Sequence, residues 1–483
     1  MESRTKIVAT LGPASTDPAV LGSLLAAGVD VVRLNLSHGD VAGHLEVLVR
    51  VRTLAARLGR HTAVLADLPG PKVRAGSFPS GGVLLRSGAA VRLVPGESAS
   101  DHRTVTVDYP TLLDDLRTGD RVVLGDGAIT LVVTSVLDGG ADAQVVTGGL
   151  VQGRPGVHLP SERMRLASPT DEDLDLAVLM AQAGVDFLAV SFVRTAADLR
   201  TVRRVVGERC GAETRLVAKI ETMAAVEQLD EIAAESDAVM VARGDLGIEC
   251  PLEDVPHLQK RIIRTCVELG VPVITATQVM ESMISSPSPT RAEVTDIANA
   301  VFDGTDALML SAETAIGVDP VNVVTTMATV AARAEREARY GSWSRRLGRQ
   351  LQELGDAIGL EDRVTMALTQ SAAQAAADVG AAAILCCTRS GRSARAMARC
   401  RPPATLIGLS PDESTLRSMS LSWGVHSLPV DIYRTTDEMV WFAVERAVHE
   451  GLVRHGDVVL VLAGAPDQPE GFPTDVVRIV RVR

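Results

Sequence analysis

Two short stretches of the chain end in residues that could manage a charged substrate: Ala218-Lys-Ile-Glu221 and Met240-Val-Ala-Arg-Gly-Asp-Leu-Gly-Ile-Glu249. Each begins as an apolar run and finishes in charge. Alternate side chains of a strand point to one face, so Lys219 and Glu221 should project together. Asp245 lies in a Gly-flanked turn just past the second run. One ammonium and two carboxylates at the ends of neighbouring strands can hold a divalent cation beside a fixed positive charge. That combination suits phosphate or enolate chemistry.

Other runs end the same way. Arg33, Asn35 and Ser37 alternate onto one face at the end of one run, with His38 beside them. Another ends at Asp67, followed by Pro69-Gly-Pro-Lys-Val-Arg74. Two more end in Thr275 with Thr277, and in Ser311 with Glu313. Any one of these alone reads as a helix cap or a surface group. Charge at the same end of so many runs reads as one rim.

The elements that would carry this rim are eight apolar, β-branched runs: Lys6–Leu11, Val29–Leu36, Thr62–Leu68, Val185–Phe192, Arg215–Ile220, Ala238–Val241, Val271–Thr275 and Ala307–Leu310. Helical stretches separate them, which predicts a parallel α/β sheet. Eight strand–helix units predict a closed (β/α)8 TIM barrel. Residues 72–166 break the rhythm with the short runs Val83–Leu85, Val91–Val94, Thr104–Val107, Arg121–Leu124, Ile129–Val136 and Gln144–Thr147, separated by Gly, Asp and Pro turns. They predict an inserted all-β domain. It emerges where barrel enzymes keep their active sites, well placed to act as a lid. After the charged helix around Ala331–Arg339, residues 340–360 read as a polar helical connector. The runs Ala382–Cys387, Thr405–Leu409, Val425–Val430, Val458–Leu462 and Val476–Val482 then predict a separate α/β domain. The expected division is a barrel of residues 1–71 and 167–338, an inserted β-barrel lid of 72–166 and a C-terminal α/β regulatory domain of 339–483.

Composition narrows the functional classes. With 46% hydrophobic but only 2% aromatic residues, the cores of this 483-residue chain must be built from Ala, Val, Leu and Ile. A net charge of −12 argues against a nucleic-acid or anionic-membrane surface, while allowing a local basic pocket. The six cysteines (210, 250, 266, 386, 387 and 400) form no CxxC pair and read as reduced thiols in a cytoplasmic setting. The N-terminal residues lack the pattern of a signal peptide. No apolar run reaches the ~20 residues that span a bilayer.

Taken in order, the motifs resemble those of the pyruvate kinase family. They are Arg33-Leu-Asn-Leu-Ser-His-Gly39, Asp67 with Gly70-Pro71 and Arg74, Ala218-Lys-Ile-Glu221, Met240-Val-Ala-Arg-Gly-Asp-Leu-Gly247, Thr275-Ala-Thr-Gln278, Pro289-Thr-Arg-Ala-Glu293 and Met309-Leu-Ser-Ala-Glu-Thr314. The resemblance runs from about Thr5 to the C-terminus. It implies transfer of the phosphoryl group of phosphoenolpyruvate to ADP, giving pyruvate and ATP. It implies that Glu221 and Asp245 hold Mg²⁺ or Mn²⁺, that Lys219 stabilises transition-state charge, and that Arg33 binds the transferring phosphoryl group. A salt bridge from Lys219 to Glu221 in the empty site is compatible with that role. Gly244 corresponds to a close approach of substrate carboxylate to backbone N–H groups, and Thr277 to a residue that holds substrate and relays a proton. Ser311 and Glu313 would support that relay. Asn35, His38, Arg74 and Arg154 match the nucleotide side, with Arg154 where the family often has Lys. Asp126 either approaches substrate on lid closure or is simply the Asp of an Asp-Gly turn.

One segment departs from the better-known pattern. Asp67-Leu-Pro-Gly-Pro-Lys-Val-Arg74 has Leu68 and Lys72 where that form has Thr and Glu. There, groups matching Asn35, Ser37 and Asp67 hold K⁺ together with a carbonyl from the Thr position. The resemblance implies that members with Lys at position 72 work without K⁺. A tethered ammonium can replace a mobile monovalent cation near phosphate oxygens; the competing reading is a solvent-facing Lys72.

In the third region, Thr388-Arg-Ser-Gly-Arg-Ser393 follows a predicted strand and opens a helix. Thr388, Ser390, Gly391, Arg392 and Ser393 could bind an effector phosphate at that helix N-terminus, or simply cap it. The loop Gly464–Phe472 has no Arg or Lys and two acids, which disfavours a bisphosphate and favours a nucleoside or sugar monophosphate. The family resemblance also implies a homotetramer. Two rival functions share these features: a metal-dependent aldolase or lyase acting on pyruvate enolate, and a degenerate homologue that only senses phosphometabolites. The β insert and the Arg33 and Arg74 pair weigh against the first. The presence of Lys219, Glu221, Asp245 and Thr277 weighs against the second.

Overall fold

A computed structural model describes residues 3–71, 73–125, 127, 129–160, 167–338, 340, 359–464 and 474–483. Lys72, Asp126, most of the 340–360 connector and most of the Gly464–Phe472 loop lie outside the described residues.

The eight expected runs become one closed parallel barrel. Its strands are Lys6–Thr10, Val31–Asn35, Ala63–Asp67, Phe187–Val190, Arg215–Ile220, Ala238–Ala242, Val273–Ala276 and Ala307–Leu310, each beside its sequence neighbour, with the last pairing the first. Helices cover the outside, so these strands are buried on both faces and read as continuous apolar runs. The interior is filled by Val8, Val31, Leu65, Phe187, Val217, Met240, Ile274 and Met309.

The barrel floor carries a recurring device. Asp30, Asp186, Asp237 and Asp306 each precede an even-numbered barrel strand. Each accepts a backbone N–H from the preceding odd-numbered strand: Ile7 at 2.9 Å, Val64 at 2.7 Å, Leu216 at 2.9 Å and Val273 at 3.0 Å. A buried strand end would otherwise leave these donors without partners, at a cost of about 1–3 kcal/mol each.

The insert folds as β-structure, antiparallel except where Ala90–Pro95 pairs Thr104–Val107, around its own core of Leu93, Val105, Leu112, Val122 and Leu131. Its pairing gives a six-stranded sheet and a separate ribbon of Phe78–Leu85 with Gly149–Gly153. Among the described residues the ladder does not close into a ring. The strands Gly149–Gly153 and Val157–His158 had no distinct apolar signal, because Gly and Gln interrupt the first and the second has only two residues.

The C-terminal sheet has the order Val425–Pro429, Thr405–Ser410, Ala383–Cys387, Val458–Ala463 and Val476–Arg481, parallel except for the last strand. It docks on the barrel floor. Leu421 is buried within the barrel's interior cluster and plugs the floor. Arg401 reaches Asp306 at 2.9 Å, and Arg417 reaches Asp186 at 2.7 Å. Two strand-capping aspartates therefore also receive the cations of the docking domain. Among the described residues, no helix is long and apolar enough to cross a membrane.

Candidate active site

At the opposite end of the barrel, a cleft of about 460 Å³ opens under the inserted domain. Of the residues singled out in the sequence, it gathers Arg33, Asn35, Ser37, His38, Asp67, Arg74, Lys219, Glu221 and Asp245. They come from strand ends far apart in sequence, and closure of the barrel brings them together.

A charge network crosses the floor of the cleft. Arg33 Nε donates to Asp67 Oδ2 at 2.7 Å, and its Nη1 donates to Thr10 Oγ1 at 3.0 Å. Lys219 Nζ lies 3.3 Å from Asp67 Oδ1 and 2.8 Å from Glu221 Oε1. It donates to Ser191 Oγ at 2.7 Å, and that hydroxyl donates in turn to Leu68 O at 2.7 Å. Burial alone would lower the Lys219 pKa. Asp67, Glu221 and Asp245 outweigh it and raise the pKa above the ordinary lysine value. Its acidic neighbours therefore favour the ammonium form of Lys219. Burial works to raise the Asp67 pKa, but Lys219 and Arg33 win and hold it below the usual carboxylate range. Glu221 goes the other way: its burial, with Asp245 as a second negative charge, outweighs Lys219 and raises its pKa.

Glu221 also shows what the site can bind. Its Oε2 accepts the backbone N–H of Phe192 at 2.6 Å. Its Oε1 is buried 2.8 Å from Lys219 Nζ, and no other partner is found for it among the described residues. A carboxylate oxygen held this way, with Asp245 lining the same cleft, fits a divalent cation. Mg²⁺ takes one or two protein carboxylates and fills its other positions with water and substrate oxygens. Among the described residues, no group of three or more His, Cys, Asp or Glu is placed to hold a metal ion.

Thr277 sits on an unusual backbone. It and Gln278 have φ of 66° and 52°, in the left-handed region that non-glycine residues seldom adopt. Arg243 holds them there. Its buried guanidinium donates to Thr277 O at 2.6 Å, to Ala276 O at 3.2 Å and to Gln278 O at 3.2 Å, and it pairs with Asp296 at 2.6 Å. The next residue fixes the side chain, since Gly244 N donates to Thr277 Oγ1 at 2.8 Å. A Cβ built on Gly244 would meet Thr277 Oγ1 at 3.5 Å, an ordinary contact. Nothing in the protein itself therefore demands glycine there. Gly70 is different: it has φ of 69°, and a Cβ would lie 2.8 Å from Phe192 and Ser191.

Some expected residues stand apart. Arg154 does not line the cleft; it pairs with Asp108 at 3.3 Å, and its carbonyl accepts from Arg74. Glu313 spends both oxygens on backbone N–H groups, of Ser311 at 2.7 Å and Met280 at 3.1 Å. Ser311 Oγ is buried without a partner among the described residues. In the C-terminal domain, Thr388 Oγ1 accepts from Gly391 N at 2.9 Å, and Ser393 Oγ is 2.6 Å from Thr474 Oγ1. Ser390 O accepts from Arg395 at 3.2 Å, and Arg392 lies 3.7 Å from Glu361. Sequence reasoning missed Ser191, Phe192 and the role of Arg243. The signal for the first two was available: Ser191 follows the apolar strand Phe187–Val190 at the same rim as the other polar ends.

A closed (β/α)8 barrel with charge gathered at its C-terminal rim under an inserted β domain defines a barrel enzyme. Family models described as the pyruvate kinase barrel domain and the pyruvate kinase alpha/beta domain match residues 2–324 and 366–480. The chain belongs to the pyruvate kinase family. It is 40% identical over 469 residues to the pyruvate kinase of Geobacillus stearothermophilus, covering 96% of this chain and 78% of that one. It is 37% identical over 470 residues to the pyruvate kinase of Clostridium acetobutylicum, covering 97% of each. The crystal structure of a pyruvate kinase from Cryptosporidium parvum superposes with a TM-score of 0.91 at 31% identity, covering 100% of this chain and 96% of that one.

Proposed function

We propose that this protein transfers the phosphoryl group of phosphoenolpyruvate to ADP, giving pyruvate and ATP in glycolysis. The observation that carries this reading is the row of Arg33, Asp67, Lys219 and Glu221 across one cleft, with both cations held in place by buried acids. Arg33 binds the transferring phosphoryl group through its planar fork. Lys219, favoured as an ammonium by its acidic neighbours, stabilises negative charge on the phosphoryl group and the departing enolate. A nucleotide oxygen attacks phosphorus as the enol C–O–P bond breaks at the oxygen–phosphorus link. The electron pair passes to the enolate. Thr277 Oγ1 then serves the proton relay to the methylene carbon, with Ser311 and Glu313 shaping its surroundings, and pyruvate results.

Glu221 and Asp245 would hold Mg²⁺ or Mn²⁺, which when bound supplies positive charge to the substrate's carboxylate and enolate oxygens. The backbone at Gly244 approaches the substrate carboxylate. Asn35, His38, Arg74 and Arg154 serve the nucleotide; Arg154 would leave Asp108 and swing inward as the lid moves. Asp67 is already balanced by Arg33 and Lys219. In this reading Asn35, Ser37 and Asp67 no longer hold K⁺, and the tethered ammonium of Lys72 supplies the charge. The barrel spans 1–71 and 167–338, the lid 72–166 and the regulatory domain 339–483. A phosphorylated effector binds at Thr388, Ser390, Gly391, Arg392 and Ser393. The working form is a cytoplasmic homotetramer.

A coupled assay for pyruvate release from phosphoenolpyruvate and ADP tests the reaction directly. Lys219→Met should lower turnover by orders of magnitude while divalent-metal binding stays measurable. Wild-type turnover in that variant would refute the role given to Lys219. Size-exclusion chromatography with light scattering tests the tetramer, which a monomeric mass at working concentration would rule out.

A further inference from the structure

The chain leaves the barrel for the inserted domain after the strand Ala63–Asp67 and has returned by the helix Asp171–Gln182. One residue of the cleft wall touches both crossings. Ser191, only 3% exposed, follows the strand Phe187–Val190. Its Oγ donates to Leu68 O at 2.7 Å on the outgoing side, and its carbonyl accepts from Ser168 Oγ at 2.7 Å on the returning side. A second tie joins the two crossings to each other: Asp173 Oδ1 accepts from Gly70 N at 2.9 Å, and its Oδ2 accepts from Thr170 N at 2.9 Å. The packing leaves little slack, since a Cβ on Gly70 would lie 2.8 Å from Ser191 Cβ and 2.8 Å from Phe192 Cδ2.

The same residue meets the ammonium of the cleft. Lys219 Nζ donates to Ser191 Oγ at 2.7 Å. A hydroxyl has one proton to give. Ser191 directs its own to Leu68 O, with Asp67 Oδ1 farther off at 3.5 Å, so towards Lys219 it is an acceptor. The other close neighbours of Nζ are carboxylates with a second cation to serve. Asp67 also pairs with Arg33 at 2.7 Å, and Glu221 would be shared with the divalent ion. Ser191 is the neutral partner with no such competitor. Phe192, the next residue, has φ of 53° and gives its N–H to Glu221 Oε2 at 2.6 Å. One dipeptide therefore holds the ammonium through a side chain and the carboxylate through the backbone.

We propose that Ser191 is a positioning residue: it places the Lys219 ammonium, and its own place is set by both chain crossings to the inserted domain. The seating of that domain and the seating of the ammonium then depend on one residue. The proposal rests on the phosphoryl-transfer reading above. Lys219 answers charge that develops during transfer, so a misplaced ammonium lowers kcat more than it weakens substrate binding.

The test uses the full-length protein, with steady-state kinetics of pyruvate formation and Mn²⁺ titration followed by electron paramagnetic resonance. Ser191→Ala is expected to lower kcat by about 10- to 100-fold, the scale of a small misplacement, with little change in KM for phosphoenolpyruvate. Its Mn²⁺ affinity should stay near wild type, because Phe192 N–H still holds Glu221. Ser168→Ala, which removes the returning tie alone, should lower kcat by less, again without moving KM. Wild-type kcat in Ser191→Ala overturns the proposal. So does a loss expressed in KM with kcat kept, or a parallel loss of Mn²⁺ affinity, which would mark general damage to the site. Wild-type kcat in Ser168→Ala overturns the tie to the inserted domain. If Ser191→Ala does not fold, Ser168→Ala decides, since it leaves Leu68 O and Lys219 their partners. A wild-type protein that forms no pyruvate refutes the phosphoryl-transfer reading and the proposal with it; an active wild type beside an equally active Ser191→Ala refutes the proposal alone.

Discussion

At the scale of single residues, the site rests on which charges are fixed and which are left to be answered. Lys219 is surrounded by acids that secure its proton. Glu221 has one buried oxygen whose close polar partner is the Lys219 ammonium at 2.8 Å. The two were legible together in the sequence because a strand's period of two puts positions 219 and 221 on one face. Their opposite electrostatic fates were not legible, since these depend on Asp67 and Asp245, which arrive from other strands. Lys72 belongs to this scale too. Its tethered ammonium would take the place of a mobile monovalent cation near the phosphate oxygens. Turnover is expected to persist in K⁺-free buffer. A steady-state assay showing almost no activity there, restored by added K⁺, would sink this reading.

At the scale of elements, the turn that opens the helix Arg243–Glu249 works as a clamp on the end of its neighbouring strand. Two consecutive non-glycine residues in the left-handed region cost on the order of 1–3 kcal/mol each. Arg243 offsets this by donating to three successive carbonyls. Arg243→Lys keeps the charge but loses the planar fork, so Thr277 should drift. Misplacement on the order of 1 Å can lower turnover by about 10²-fold. We expect kcat to fall by about that factor, with a much smaller change in KM for phosphoenolpyruvate; an unchanged kcat means the clamp is dispensable. The motif around Arg243 was visible in the sequence. Its role was not, because the carbonyls it holds lie more than thirty positions away. The loop proposed to bind an effector phosphate is the second case. Ser393 is tied to Thr474, so part of the loop is braced before any ligand arrives. Thermal-shift screening with AMP, ribose 5-phosphate, glucose 6-phosphate and fructose 1,6-bisphosphate should show stabilisation by a monophosphate. Stabilisation by the bisphosphate alone would reverse the assignment.

At the scale of the whole molecule, the C-terminal domain is built into the barrel floor. Leu421 plugs the interior cluster, while Arg401 and Arg417 pair with aspartates that also cap barrel strands. A conformational change in one domain therefore meets the backbone of the other directly. Leu421→Ala should cost about 2–5 kcal/mol, as buried Leu-to-Ala changes do, and should lower the melting temperature with the two domains loosening together. A melting temperature equal to wild type would show that the plug contributes nothing. Chemistry lies at one end of the barrel and docking at the other, the usual separation between function and stability in this fold.

The sequence by itself determined the eight strands, the inserted β domain, the C-terminal sheet and the charged rim. Those are local signals: apolar runs of strand length, turn residues between them, and polar groups just past each run. Only the tertiary structure decided which oxygen of Glu221 meets the Phe192 N–H, how Thr277 is held in a strained conformation, and why every second barrel strand begins after an aspartate. These are contacts between residues 21 to 122 positions apart. Their geometry follows from closing the barrel and seating the C-terminal domain on its floor, and no local pattern in the chain encodes it.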